Sequence, residues 1–195
     1  MSASDSLDTT VLIVGAGPVG ILTGLLLNRL GISFVIVERR SSLHNAPQAH
    51  VISSRSLEIC RAVGVDDMKI RSLGPKLEDT ATIRWVDTLA GRDLGVFDMR
   101  RRPEDIGRML TSTPTPSTNL SQDQFERVLF ARLSEVAGSD VLRFEHGWEG
   151  VKEETDSEGS VTYLSSISTD SGPLELRSRY LIGADGNYFA NTFVP

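Results

Sequence analysis

Residues 11–20 read Val11-Leu12-Ile13-Val14-Gly15-Ala16-Gly17-Pro18-Val19-Gly20. An apolar run of strand length breaks into the pattern G-x-G-x-x-G and continues into an apolar helical segment. In such a turn Gly15 permits the tight bend, Gly17 lets backbone amides approach a diphosphate, and Gly20 lets the helix pack closely. The unpaired N–H groups at the start of the helix favour an anion there. The pattern predicts a strand–turn–helix unit that binds a dinucleotide.

A second apolar run, Phe34 to Val37, ends at Glu38, 18 residues after Gly20. An acid at this place in a dinucleotide-binding unit accepts the hydroxyl groups of the adenosine ribose. The alternative, a merely solvated acid, is disfavoured by the apolar run and the glycine pattern before it. Arg39 and Arg40 could instead recognise the 2′-phosphate of NADP, but Glu38 would repel that group. The sequence therefore favours FAD or NAD.

Composition excludes several classes of protein. The chain has 195 residues, a net charge of −6, 39% hydrophobic and 24% charged residues, which is typical of a globular protein. The negative charge argues against a nucleic-acid partner, and no apolar run reaches the roughly 20 residues of a membrane helix. The single cysteine, Cys60, indicates a reducing, cytoplasmic setting, and we interpret it as a packed apolar residue. Residues 1–9 are predicted to be a disordered leader, not a signal peptide.

Apolar periodicity and turn residues predict the remaining elements. We interpret Trp85 and Phe97 as core residues of two paired strands, in preference to the lining of a ring pocket. The predicted strands are 10–15, 33–38, 81–86, 94–97, 141–144, 148–152, 161–167, 174–176 and 180–182, and the predicted helices are 18–30, 54–63 and one that begins at Ser121 with an apolar stripe of Phe125, Val128, Leu129, Leu133 and Val136.

Three segments, in order along the chain, carry a resemblance to one known family. They are the glycine pattern with Glu38-Arg39; Ala46-Pro47-Gln48-Ala49-His50 leading to Arg55-Ser56-Leu57-Glu58-Ile59 and Gly64; and Arg179-Tyr180-Leu181-Ile182-Gly183-Ala184-Asp185-Gly186. Leu120-Ser121-Gln122 also resembles the family's glutamine at the start of a long helix. On these residues the chain resembles the FAD-dependent aromatic hydroxylases, the single-component flavoprotein monooxygenases related to para-hydroxybenzoate hydroxylase and phenol hydroxylase.

The resemblance implies an α/β fold. Its centre is a Rossmann-like FAD/NAD(P)-binding domain with a central parallel sheet, helices and an antiparallel β layer, and part of a β-rich substrate domain is inserted. We therefore predict that residues 10–78 and 120–186 form the FAD-binding domain. Residues 79–119 are predicted to be the partial substrate-domain insertion, and residues 187–195 an atypical tail.

The resemblance also implies roles for particular residues at the adenosine end of FAD. Gly15, Gly17 and Gly20 would hold the pyrophosphate of FAD. Glu38 would bind the adenosine ribose, and Arg39 would lie beside the adenine.

Four further residues are assigned to the cofactor by the same resemblance. Gln48 stands where relatives often carry a basic residue that contacts the cofactor. Gln122 would lie near the ribityl–pyrophosphate arm. Asp185 and Gly186 would belong to the segment that relatives use for FAD and for the nicotinamide donor.

The implied reaction is carried by the cofactor. NADH or NADPH would reduce FAD, dioxygen would form a flavin hydroperoxide, and one oxygen atom would pass to a phenolic or polyketide-like ring, as in secondary metabolism. This chemistry needs no metal, so we expect no metal site, and the sequence identifies no catalytic residue. The three histidines (His44, His50 and His146) lack zinc-like spacing.

The end of the chain departs from the family. After Asp185-Gly186 the family continues with a serine and then an arginine, and residues 187–195 contain neither. We therefore expect a truncated N-terminal portion that is catalytically incomplete by itself. The alternatives are a non-catalytic nucleotide-binding remnant, or another FAD-dependent oxidoreductase such as an amine oxidase; the segment from Gln48 to Gly64 argues against the second.

Overall fold

A computed structural model describes residues 8–46, 48–98, 104, 107 and 111–186. The predicted tail at 187–195 and most of the predicted leader lie outside the described residues. The chain divides into two compact units, residues 1–46 with 126–195, and residues 47–125. These packing boundaries differ from the predicted domain boundaries, and the assignment of residues 79–119 to a substrate domain stays a prediction.

The described helices and strands are numbered here in chain order. They are β1 (Thr9–Val14), α1 (Pro18–Arg29), β2 (Phe34–Val37), β3 (Val51–Ile52), α2 (Ser54–Ala62), α3 (Asp67–Leu73), α4 (Leu77–Thr80), β4 (Thr82–Val86), β5 (Asp93–Asp98), β6 (Thr118–Asn119), α5 (Gln122–Ala137), β7 (Leu142–Arg143), β8 (Gly147–Thr155), β9 (Val161–Thr169) and β10 (Gly172–Gly183).

The first unit is built on a six-stranded sheet in the order β7-β2-β1-β10-β9-β8. The first four strands of that order are parallel, and β9 and β8 continue it antiparallel. Helix α1 connects the neighbouring parallel strands β1 and β2, with Pro18 in its first turn and Gly31 at φ +69° just past its end. The predicted α/β class and its Rossmann-like opening are confirmed.

The antiparallel strands also form the predicted β layer. Ile167 of β9 and Leu176 of β10 belong to the same buried cluster as Leu12 of β1 and Val35 of β2. The antiparallel part of the sheet therefore shares one apolar core with the parallel strands. Burial of this apolar cluster stabilises the two parts against each other.

The sequence prediction was wrong about the last strand. Residues 174–176 and 180–182 are not separate strands but lie in the single strand β10. Its first half pairs antiparallel with β9 as far as Ser178, and from Ser178 onward it pairs parallel with β1. Residues 174–177 alternate apolar and polar where the strand pairs with β9, whereas Tyr180-Leu181-Ile182 is a continuous apolar run beside β1. The two halves therefore carry different patterns.

The second unit contains elements that were predicted and elements that were missed. Helix α2 begins after Ser53, whose side chain accepts a hydrogen bond from the Ser56 amide, and Gly64 follows its end at φ +78°. Helices α3 and α4 were not predicted. The start of α3 has a recognisable cap, because the side chain of Asp66 accepts a hydrogen bond from the Met68 amide.

Strands β4 and β5 form the predicted antiparallel pair, but the interpretation of its aromatic residues as core is wrong. Trp85 is 55% exposed and Phe97 is 54% exposed. A two-stranded ribbon cannot bury its own side chains, because burial needs another layer packed against it.

Helix α5 starts directly after Ser121, as predicted. Four of the five residues of its apolar stripe are buried, and Val136 is half-buried. Glu126 lies within the same buried face and is 1% exposed, which the apolar pattern did not reveal. Among the described residues, no helix has both the length and the apolar character needed to cross a bilayer.

Candidate dinucleotide-binding site

Two of the three glycines are required by the backbone itself. Gly15 has φ +104°, and a Cβ atom there would lie 2.7 Å from the carbonyl oxygen of Ala184. A Cβ atom on Gly20 would clash with the carbonyl oxygen of Gly15. The close packing predicted at Gly20 is therefore present, and its nearest partner is the glycine turn. Strand, turn and helix fit together only without these side chains.

Gly17 differs from the other two glycines. It caps the start of α1 with φ −71° and ψ 179°, a backbone conformation open to any residue. A Cβ atom added to it would meet no protein atom within 4 Å. The fold does not demand a glycine here, whereas a ligand approaching the helix N-terminus would. The diphosphate is expected in the space beside Gly17.

Glu38 joins the end of β2 to the glycine turn. Its carboxylate is buried, with Oε2 accepting from the Ala16 amide at 2.9 Å and Oε1 accepting from the Arg40 amide at 3.0 Å. The guanidinium of Arg40 lies 3.9 Å from Oε1. An ionised carboxylate has about four lone-pair sites. The two hydrogen bonds from backbone amides therefore leave acceptor capacity for ribose hydroxyls.

The segment after β10 borders the same turn. The amide of Ala184 donates to the carbonyl of Val14 at 2.7 Å, which places Asp185 beside the end of β1. Oδ1 of Asp185 is buried and has no hydrogen-bond partner among the described residues. Burial raises the pKa of the Asp185 carboxyl, with the charge of Arg39 acting against this shift and that of Glu38 adding to it. A buried acceptor of this kind suits the hydroxyl or amide of a ligand.

The predicted site residues thus fall into two groups. The first unit brings together Gly15, Gly17, Gly20, Glu38, Arg39, Asp185 and Gly186, of which Arg39 and Gly186 are exposed. In the second unit, the amide of Gln122 donates to the carbonyl of Ala49 at 2.8 Å, so Gln48 and Gln122 lie on hydrogen-bonded segments. The roles of all these residues toward a cofactor stay predictions.

Sequence reasoning missed the residues that hold the segment after Glu38. The His146 amide donates to the carbonyl of Glu38 at 2.9 Å, and the Glu145 amide donates to the carbonyl of Arg40 at 3.0 Å. Glu145 has φ +59°, an uncommon conformation for a residue with a Cβ atom. No local pattern marks these two residues, since they act through their backbone. Glu126, by contrast, stands out as a charge inside an apolar stripe.

Among the described residues, neither Cys60 nor the potential metal ligands are arranged for chemistry. Cys60 is fully buried, and burial raises the pKa of its thiol to about 11, so the interpretation as a packed residue holds. Within the described part of the chain, no three potential metal ligands come together.

Comparison with known proteins decides the family. The family described as "FAD binding domain" matches residues 8–188. The chain belongs to this FAD-binding family. Among curated relatives, the aklavinone 12-hydroxylase RdmE of Streptomyces purpurascens is 31% identical over 185 residues, covering 92% of this chain and 33% of that protein. The 2,4-dichlorophenol 6-monooxygenase of Cupriavidus pinatubonensis is 29% identical over 187 residues, covering 93% and 29%.

Solved structures agree with the family assignment. The crystal structure of the flavin-dependent monooxygenase PieE in complex with FAD and substrate has a TM-score of 0.79 at 30% identity, covering 94% of this chain and 31% of that one. The predicted resemblance to FAD-dependent aromatic hydroxylases is confirmed. The chain spans about a third of the length of the curated relatives that it matches.

Proposed function

We propose that this chain is the FAD-binding portion of an NAD(P)H-dependent monooxygenase that hydroxylates an aromatic ring of the phenolic or polyketide class. One observation carries the cofactor assignment. The open space at Gly17, the buried carboxylate of Glu38 and the unpaired Oδ1 of Asp185 all border the same glycine turn. The names of the relatives support the class of substrate.

The residues present fit the adenosine diphosphate part of FAD. The start of α1 and the bare backbone at Gly17 favour the diphosphate through unpaired amides and the helix dipole. Glu38 keeps acceptor capacity for the ribose hydroxyls, and Asp185 offers an acceptor that burial leaves unpaired. In this proposal Arg39 lies beside the adenine, and Gln48 and Gln122 are also assigned to the cofactor.

When bound, FAD would supply the oxidation chemistry: it would take two electrons from NADH or NADPH and let one oxygen atom of dioxygen pass to the aromatic ring while the other leaves as water. We propose that the 195 residues alone do not complete this reaction. The support is the length of the relatives, of which the chain spans about a third. Hydroxylation requires a site closed to water around the reacting ring, and this portion binds one end of the cofactor.

Two further predictions, on the domain assignment and on the location, accompany the proposal. Residues 79–119 are assigned to the substrate domain, supported by the exposed apolar side chains of β4 and β5. A cytoplasmic location is supported by the free thiol of Cys60.

The test is the absorption spectrum of the purified chain after incubation with FAD and gel filtration, followed by an assay with NADH or NADPH and a phenol. We expect a flavin spectrum that travels with the protein and no hydroxylated product. A protein that stays colourless at saturating FAD contradicts the cofactor assignment. Hydroxylated product from the chain alone contradicts the proposed incompleteness.

A further inference from the structure

Glu126 is the most deeply buried charged side chain among the described residues, at 1% exposed. It lies on the apolar face of α5, between Phe125 and the next buried pair, Val128 and Leu129. A carboxylate in such a position is costly unless it is hydrogen-bonded. A buried acid therefore calls for a specific partner, and the first unit provides one.

That partner is the loop that follows Glu38. Oε2 of Glu126 accepts from the backbone amide of His44 at 3.3 Å. The neighbouring residue on α5, Arg127, donates through Nη2 to Oδ1 of Asn45 at 3.3 Å. The Ala46 amide in turn donates to Nδ1 of His44 at 3.1 Å. Two consecutive residues of α5 thus hold two consecutive residues of the loop.

The loop is held at its other end as well. The carbonyl groups of Glu38 and Arg40 accept from the amides of His146 and Glu145. Residues 39–46 have no helix or strand, so their path depends on these side-chain and backbone contacts at both ends. Whatever fixes that path also fixes Arg39 and the backbone next to Glu38.

We infer that Glu126 is a positioning residue for adenosine binding: its buried carboxylate orders the loop at His44 and so sets the wall of the adenosine pocket. The inference rests on the proposed function, because it gives the loop a ligand to receive. Glu126 acts through the loop and does not touch the ligand itself. Replacing it should therefore weaken binding of the adenosine end without unfolding the chain.

The test compares three variants of the purified chain by calorimetric titration with ADP and with FAD. Glu126→Leu keeps the volume, removes the charge and leaves the His44 amide without this acceptor, so we expect a modestly lower melting temperature in a chain that still folds. Glu126→Gln retains an oxygen acceptor for the His44 amide. Glu135→Gln, at a carboxylate on the same helix whose side chain is 69% exposed, is the matched control.

We expect Glu126→Leu to bind ADP and FAD about tenfold more weakly, Glu126→Gln to recover most of that loss, and Glu135→Gln to bind as the unmodified chain does. The amide proton resonance of His44 should shift in both Glu126 variants and stay in place in the control. A merely structural role would lower the melting temperature and leave the affinity of the remaining folded protein unchanged.

The outcomes separate the two proposals. If the unmodified chain binds ADP and FAD while Glu126→Leu binds them equally well, or while the His44 resonance does not move, the role of Glu126 is overturned and the proposed function stands. If the unmodified chain binds neither ligand, the proposed function falls, and this inference falls with it.

Discussion

The carboxylate of Glu38 accepts a hydrogen bond from the amide of Ala16 at 2.9 Å, across 22 residues of sequence. The residue expected to bind the ribose therefore also fixes the turn expected to bind the diphosphate. A second bond, from the Arg40 amide at 3.0 Å, holds the other oxygen. Because the carboxylate is buried and accepts two hydrogen bonds, its position is fixed before any ligand binds.

Glu38→Gln should weaken both the turn and the ligand site. The amide side chain has one acceptor oxygen and one NH₂ group, so one of the two backbone N–H groups would face a donor. We expect a loss of about 1–3 kcal/mol in the free energy of unfolding and more than about tenfold in FAD affinity. Urea denaturation and calorimetry measure the two effects. Glu175→Gln, at an exposed acid on β10, is the control; equal effects in the two variants would refute the special position of Glu38.

Substitution by alanine should reduce mainly the stability of the chain at Gly15 and mainly its affinity for FAD at Gly17. Gly15→Ala introduces a Cβ atom at φ +104° against the Ala184 carbonyl, so we expect a loss of about 2 kcal/mol or more in stability. Gly17→Ala fills open space, costs about 1 kcal/mol or less at a helix cap, and weakens FAD binding about tenfold or more. Thermal denaturation and FAD titration of both proteins make the comparison. A Gly17→Ala protein that binds FAD normally would show that no ligand approaches there.

Asp185→Asn should stabilise the chain in a pH-dependent way. Burial raises the pKa of this carboxyl in the folded state, so the folded state binds the proton more tightly than the unfolded state. The contribution of protonated Asp185 to the free energy of unfolding is fully present below the ordinary aspartate pKa of about 3.9. It is lost as the pH rises through the raised pKa of the folded state.

Asparagine stays neutral throughout. The variant should therefore match the unmodified chain at about pH 3 and melt at a higher temperature at about pH 7. The effect should be modest, since Asp185 is partly exposed. Melting curves of both proteins across this range provide the check. A variant that is less stable than the unmodified chain at neutral pH would contradict the raised pKa of Asp185. We also expect the variant to bind FAD more weakly.

The two tryptophans report on the two units separately. Trp85 is 55% exposed, whereas Trp148 is partly buried and its indole N–H donates to Oγ of Ser165 at 3.2 Å. The chain has only these two tryptophans. Acrylamide should therefore quench the fluorescence of Trp148→Phe, which retains Trp85, more steeply than that of Trp85→Phe. Equal quenching, or the reverse order, would show that the β4–β5 ribbon is covered.

The parts of the fold that the sequence predicted are those whose causes are local. The apolar run before Gly15, the turn glycines and the acid after Val37 lie within about thirty residues, and the structure joins them as expected. The short helix α3 was missed because seven residues hold too few turns to show a periodic pattern. Strand β10 was divided because its two halves face different neighbours.

The candidate site was predicted less completely, for a related reason. Glu126 stands out locally as a charge inside an apolar stripe, but its partner, the His44 amide, lies 82 residues away. Glu145 and His146 hold the loop through backbone groups, which leave no local pattern. Trp85 and Phe97 were misjudged because an apolar side chain on a strand indicates burial only if a further layer packs against it. Contacts between distant segments set these features, and they are visible only in the fold.

The proposed function depends on the glycine turn holding the adenosine diphosphate part of FAD. Calorimetric titration of FAD into the purified 195-residue chain, repeated in the presence of ADP and with Gly17→Ala, tests this most directly. We predict saturable binding of one FAD per chain, competition by ADP, and an affinity about tenfold or more lower in the variant. Absence of binding heat for FAD, or FAD binding that ADP does not displace, would contradict this role of the glycine turn.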